Sequence, residues 1–141
     1  MDDDSLWHRI APDVPSLQGR TSSPFDANCP SRIALDHLTS KWGVLVLVAL
    51  SRGPMRWGEL HRFVEGVSEK MLAQTLRVFE SDGYVTRTSH GTVPPRVDYE
   101  LTPLGREAME QLLPLVRWVA SNVERILPAE RLPSTGAAST P

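Results

Sequence analysis

Lys70, Gln74 and Arg77 follow one another at steps of four and three residues, the spacing that sets side chains on one stripe of an α-helix. A cation, an amide and a guanidinium on one solvent-facing stripe suit phosphates and major-groove base edges, because Gln makes a two-bond match to adenine and Arg to guanine. Leu72, Leu76 and Phe79 fall on the opposite stripe at i, i+4 and i+7, where a helix meets its core. A polar outer face is also what any amphipathic helix shows. The elements around this helix therefore decide whether it reads DNA or is merely solvated.

After Cys29 and Pro30, Ser31 is the expected N-cap of a first helix with Ile33, Ala34, Leu35 and Leu38 as its apolar face. Residues 41–50 predict a second helix, apolar nearly all round and so buried on most sides, ended by Ser51, Arg52, Gly53 and Pro54. Residues 55–57 read as a short strand and 58–64 as a third helix with Leu60, Phe63 and Val64 inward. Gly66, Val67 and Ser68 then turn tightly into the fourth helix, with Ser68 as its N-cap. Two short helices joined in this way form a helix-turn-helix. Asp82 and Gly83 close the fourth helix, and 84–89 and 96–101 alternate like paired strands about the loop 90–95. The fold class expected is mainly α with a small β-hairpin, a winged helix-turn-helix.

Thr102 caps a long last helix with Leu104, Ala108, Leu112, Leu115, Val119, Val123 and Ile126 at three- and four-residue steps, and Pro114 is expected to kink it. That stripe offers more apolar surface than a small winged domain uses. A second copy of the chain is the expected partner, and a symmetric dimer would present two recognition helices to successive major grooves. The alternative is that the helix folds back on its own core.

The composition is ordinary for one globular domain: 141 residues, 40% hydrophobic and 23% charged. Three regions are expected: 1–28 as a flexible N-terminal arm rich in Pro, Ser and Asp, with a short anchored piece around Leu6, Trp7 and Ile10; 29–127 as the DNA-binding and dimerisation domain; and 128–141 as a disordered C-terminal tail. The net charge of −2 is unevenly divided. Residues 1–28 carry two basic against five acidic groups, 29–106 ten against eight, and the remainder three against four. DNA affinity depends on local neutralisation of phosphates, so a mildly acidic chain still accommodates a basic face, though not strong non-specific binding. The apolar run 44–50 is too short to span a bilayer and the N-terminus lacks the pattern of a secretory leader. No membrane association is expected, and the single cysteine suits a reducing cytosol.

Cys29-Pro30 before the first helix, Lys41-Trp42 opening the second, RWGELHRFVEGVSEKML over the helix-turn-helix, LRVFESDGYVTR into the hairpin and VPPRVDYELTPLGR after its tip stand in fixed order. In that order and spacing the stretch 29–106 resembles the HxlR-type winged helix-turn-helix transcriptional regulators of bacteria, relatives of the MarR group. The resemblance implies a dimeric DNA-binding regulator, with the first and last helices at the dimer contact and the fourth helix in the major groove. By position it implies DNA contacts from Ser68, Lys70, Gln74 and Arg77, and from His90, Thr92 and Arg96 on the wing, against the minor groove or phosphates. Glu69 stands where the family commonly has Pro, and Ala73 and Thr75 replace a hydroxyl and a larger polar residue, departures that bear on the operator and not on the fold. A cysteine at the place of Cys29 senses oxidants or electrophiles in some members, and a helix N-terminus favours thiolate. Packing at the dimer interface without signalling is the alternative role.

Trp42, Trp57 and Trp118 could line a pocket for an aromatic effector, but core and interface anchoring is their expected use. His8, His37, His61 and His90 lie far apart with no cysteine at metal-ligand spacing, so neither metal nor cofactor is expected. The chain lacks a phosphate-binding glycine loop and a nucleophile elbow, which argues against an enzyme. The sequence thus predicts a cytoplasmic, nucleoid-associated homodimeric regulator, a repressor released by a small-molecule or oxidant effector. The competing reading is a winged-helix module for protein interaction.

Overall fold

The outer stripe of the fourth predicted helix is held in place by a core that begins two helices earlier. In the computed structural model, which describes residues 3–16, 18 and 22–133, helix α1 (Asp3–Ile10) precedes α2 (Pro30–Thr39) and α3 (Lys41–Leu50). Strand β1 (Met55–Arg56) leads into α4 (Trp57–Phe63) and α5 (Glu69–Asp82), and then come β2 (Val85–Ser89) and β3 (Val97–Leu101). Helices α6 (Pro103–Ser121) and α7 (Val123–Ile126) and a 3-10 turn (Ala129–Arg131) complete the described chain. The predicted fourth helix is therefore α5. No single helix among the described residues is long and apolar enough to cross a membrane.

Helix α3 is the centre of the core. Ser40 caps it by accepting a hydrogen bond from the Gly43 N–H at 3.2 Å, and Val46, Leu47, Ala49 and Leu50 are buried along its length. Leu60 of α4, Leu72, Leu76 and Phe79 of α5, and Met109 and Leu112 of α6 join the same cluster. Each fully buried Leu or Phe contributes about 1.5–3 kcal/mol relative to an exposed one. Three antiparallel strands in the order β1-β3-β2 close one side. β1 adds a third strand to the predicted hairpin, pairing Met55 with Tyr99 and Arg56 with Asp98, while β2 and β3 pair from Val85 with Leu101 to Ser89 with Val97.

Several predicted details are corrected. Cys29, not Ser31, is the N-cap of α2, because Pro30 takes the first helical position, where its missing N–H costs nothing. The α2 face of Ile33, Ala34 and Leu35 is exposed, Ile33 to 55%, and only Leu38 packs against the core. Phe63 points outward, with the Arg52 guanidinium 4.7 Å from its ring centre, while Leu60 and Val64 fill the inner positions. The last helix is not continuous to Ile126. It passes Pro114 but stops at Asn122, whose side chain donates to the Trp118 carbonyl at 2.8 Å and accepts from Arg125 Nη1 at 2.6 Å. A side-chain amide that competes for a helical carbonyl in this way terminates the ladder. Trp42 and Trp57 pack partly buried against the core, whereas Trp118 is 55% exposed.

Helix α1 covers Leu6, Trp7 and Ile10, the expected anchored piece of the arm, and Trp7 Nε1 donates to Ser22 Oγ at 3.2 Å. Residues 134–141 of the expected tail lie outside the described residues.

The end of α5 is tied to the start of α6. Gly83, in the left-handed region at φ 91°, closes α5, and Thr102 donates from its backbone N–H to the Tyr84 carbonyl at 3.0 Å while its hydroxyl accepts from the Gly105 N–H at 3.0 Å. A β-carbon on Gly105 would fall on the Tyr84 carbonyl oxygen. Gly105→Ala should therefore force α6 away from the α5 end, at a cost of about 1–3 kcal/mol for an overpacked site. Urea unfolding measures this, and an unchanged midpoint would show that α6 is not seated as described.

Candidate nucleic-acid interface

Helix α4, the turn after it and α5 form the helix-turn-helix. Leu60 and Val67 are buried on either side of the turn and fix the two helices against the core. Ser68 caps α5 by accepting from the Met71 N–H at 3.1 Å, which leaves its hydroxyl hydrogen available to another acceptor. Leu72, Leu76 and Phe79 are each 1% exposed or less, so the rotation of α5 about its axis is determined. That rotation leaves Lys70, Gln74 and Arg77 exposed on the opposite stripe. Among the described residues none of these three side chains is held by an ion pair or hydrogen bond. Glu69 lies one residue from Lys70 and so about 100° round the helix. It suits the positive helix N-terminus and stands off the stripe's axis.

The wing carries the second predicted group. The Asp98 carboxylate on β3 accepts from His90 Nε2 at 3.0 Å and from Arg96 Nε and Nη2, both at 3.2 Å. His90 and Arg96 are thereby brought together at the base of the loop, where the His90 N–H also bonds the Arg96 carbonyl at 3.0 Å. Thr92 is occupied within the loop, donating to the Pro94 carbonyl at 2.9 Å, and Val93 at the tip is 97% exposed. Cys29 belongs to neither group: it is buried, 3% exposed, at the start of α2.

Sequence reasoning missed Asp98. Its signal was its place two residues after Arg96 on the same face of an alternating strand, level with Thr88 across the hairpin. Further exposed cations that it missed are Arg56 and Arg62 about α4 and Arg87 on β2. The helix before a recognition helix crosses the DNA backbone, so basic residues there could have been counted.

The hydrogen bond from Arg96, assisted by that from His90, holds the Asp98 carboxyl below its ordinary value of 3.8. A depressed value means that the pairing stabilises the wing above the ordinary carboxylate range and is lost as pH falls through the folded-state value, below 3.8. A carboxyl-detected NMR titration should find Asp98 below 3.8 and rising toward it in Arg96→Ala. Equal values in the two proteins would contradict the pairing.

With this geometry in view, the comparisons with known proteins agree on one family. The model of the HxlR-like helix-turn-helix matches residues 37–127, from the last turn of α2 to the residue after α7. The chain is 46% identical over 112 residues to the HTH-type transcriptional regulator YtfH of Escherichia coli (strain K12), covering 79% of this chain and 89% of that protein. Among solved structures it is similar to ytfH from Salmonella typhimurium, with 46% identity and a TM-score of 0.72 over 77% of this chain and 96% of that one. The redox regulator HypR in its oxidised form is 34% identical, with a TM-score of 0.61 over 67% of this chain and 97% of that one. The chain belongs to the HxlR-like helix-turn-helix family, whose members are transcriptional regulators and not enzymes.

Proposed function

We propose that the protein is a homodimeric repressor that binds a pseudo-palindromic operator, with α5 in the major groove and the wing on the adjacent minor groove or backbone. One observation carries this reading: Lys70, Gln74 and Arg77 are exposed and uncommitted on a helix whose opposite stripe is fully buried. Ser68 at the α5 N-terminus, and His90, Thr92 and Arg96 on the wing, are the further DNA contacts proposed. Asp98 holds His90 and Arg96 in position and offsets the Arg96 charge, which favours positioned contacts over non-specific attraction.

The dimer reading rests on apolar side chains that the monomer leaves outside. Ile33 and Leu35 on α2, Leu115, Trp118 and Val119 on α6, and Ile126 on α7 are all between 44% and 55% exposed. Exposed apolar side chains on α2, α6 and α7 support an interface there, which a two-fold partner would cover with the same residues. A dimer seated on promoter DNA excludes other proteins by occupancy, which is the basis for repression, and a DNA target places it in the cytoplasm.

Changing Lys70, Gln74 and Arg77 together to Ala should lower operator affinity at least about 100-fold, since each two-bond base contact is worth about 1–3 kcal/mol. It should reduce the salt slope by about 2. Dimerisation, measured by analytical ultracentrifugation, should not change. Unchanged DNA affinity would sink the reading and move the protein-interaction module ahead.

A second reading, thiol sensing through Cys29, is favoured by the likeness to HypR, solved in oxidised and reduced forms, and by the place of Cys29 beside the exposed α2 face. Burial of Cys29 means that an oxidant reaches it only when the start of α2 opens. In this reading diamide weakens operator binding by the parent and not by Cys29→Ser. Equal responses from the two proteins would remove it.

A further inference from the structure

A cleft of about 160 Å³ opens between α2 and α5, roughly the volume that holds one benzene ring. Its apolar walls come from Met71, Val78 and Phe79 of α5. A buried phenyl ring and a thioether are favourable neighbours for an aromatic ring. Trp42, Trp57 and Trp118, the aromatic residues that the sequence offered for an effector pocket, take no part in it.

The polar lining sets the class of ligand. Ser40 Oγ is committed, donating to the His37 carbonyl and accepting from the Gly43 N–H. His37 is fixed by Nδ1 against Asp82 Oδ2 at 2.6 Å, a contact that also ties α2 to the last turn of α5. Thr75 brings a hydroxyl to the wall from a buried position on α5. Among the described residues the Asp36 carboxylate and the Gln74 amide, both on the lining, are uncommitted. The Asp36 carboxylate only accepts hydrogen bonds, so a donor is welcome and an anion is repelled.

We propose that the α2–α5 cleft binds a molecule with a single aromatic ring and a neutral or cationic hydrogen-bond donor, and that its occupancy lowers DNA affinity through Gln74. Gln74 lines the cleft and also stands on the Lys70–Arg77 stripe. An amide turned to a ligand in the cleft cannot present the same atoms to a base edge. The cleft also lies against α2, so a bound ring bears on both the recognition helix and the helix proposed for the dimer contact. The regulatory half of this proposal rests on the DNA-reading function above; the binding half does not.

The test uses the full chain and three probes, phenol, benzylamine and benzoate, followed by ¹H–¹⁵N NMR without DNA. Phenol and benzylamine should bind saturably and shift amides in 36–40 and 71–79, with benzoate at least about tenfold weaker, the effect of a charge-assisted contact. Val78→Trp, which fills the cleft, should remove binding. Asp36→Asn, at an exposed position that the fold does not need, should weaken benzylamine about tenfold and phenol less. Shifts that map elsewhere, an absence of saturation up to the solubility limit, or variants that bind as the parent does would overturn the site. Operator affinity measured with and without phenol completes the test. A fall of at least about tenfold supports coupling through Gln74, and no change with the cleft occupied overturns it. Operator affinity without a probe reports on the DNA-reading function alone, so the two failures are told apart.

Discussion

Burial of Leu72, Leu76 and Phe79 against α3 is the constraint on which the rest of the molecule depends. With these three at 1% exposure or less, α5 cannot turn about its axis without bringing apolar surface into water, at about 1.5–3 kcal/mol for each side chain. Its outer stripe is therefore presented at a fixed angle. Ser68 at one end and Gly83 at the other set where the helix begins and stops. The Thr102 junction then carries that fixed orientation into α6. A recognition surface needs this kind of rigidity, because two-bond contacts with base edges tolerate little misplacement.

The same core explains what remains outside. α3 is apolar nearly all round, and α4, α5, α6 and the sheet occupy most of its surface. α2 meets α3 by one edge only, through Leu38, and its other apolar residues stay exposed. α6 buries Met109 and Leu112 in its first half and exposes Leu115, Trp118 and Val119 in its second. The exposed halves of α2 and α6 carry the proposed dimer contact, and the cleft beside α2 lies between that contact and the DNA-facing stripe.

Much of this was legible because hydrophobic period reports a helix face directly. The 41–50 and 69–82 helices, the Ser68 and Thr102 caps and the paired strands follow from local chemistry that the tertiary structure did not override. Period says which face is apolar but not which neighbour covers it. Phe63, inward by its step from Leu60, faces outward for that reason, and of the apolar face of α2 Ile33 and Leu35 stay exposed. The break at Asn122 was hidden because Val119, Val123 and Ile126 keep a helical step across it, and only the amide's bonds to Trp118 and Arg125 reveal the joint. In the site, the α5 stripe was readable from spacing alone. The Asp98 cluster and the α2–α5 cleft were not, since both join residues that are brought together only by strand register or by helix packing.

Incubating reduced protein with fragmented host genomic DNA at moderate salt, and sequencing the retained fragments, shows whether α5 reads DNA. A dimer with α5 in successive major grooves predicts enrichment of a pseudo-palindrome whose half-sites lie about one helical turn apart. Retention without a shared sequence, or no retention, would contradict the claim that the outer face of α5 reads DNA.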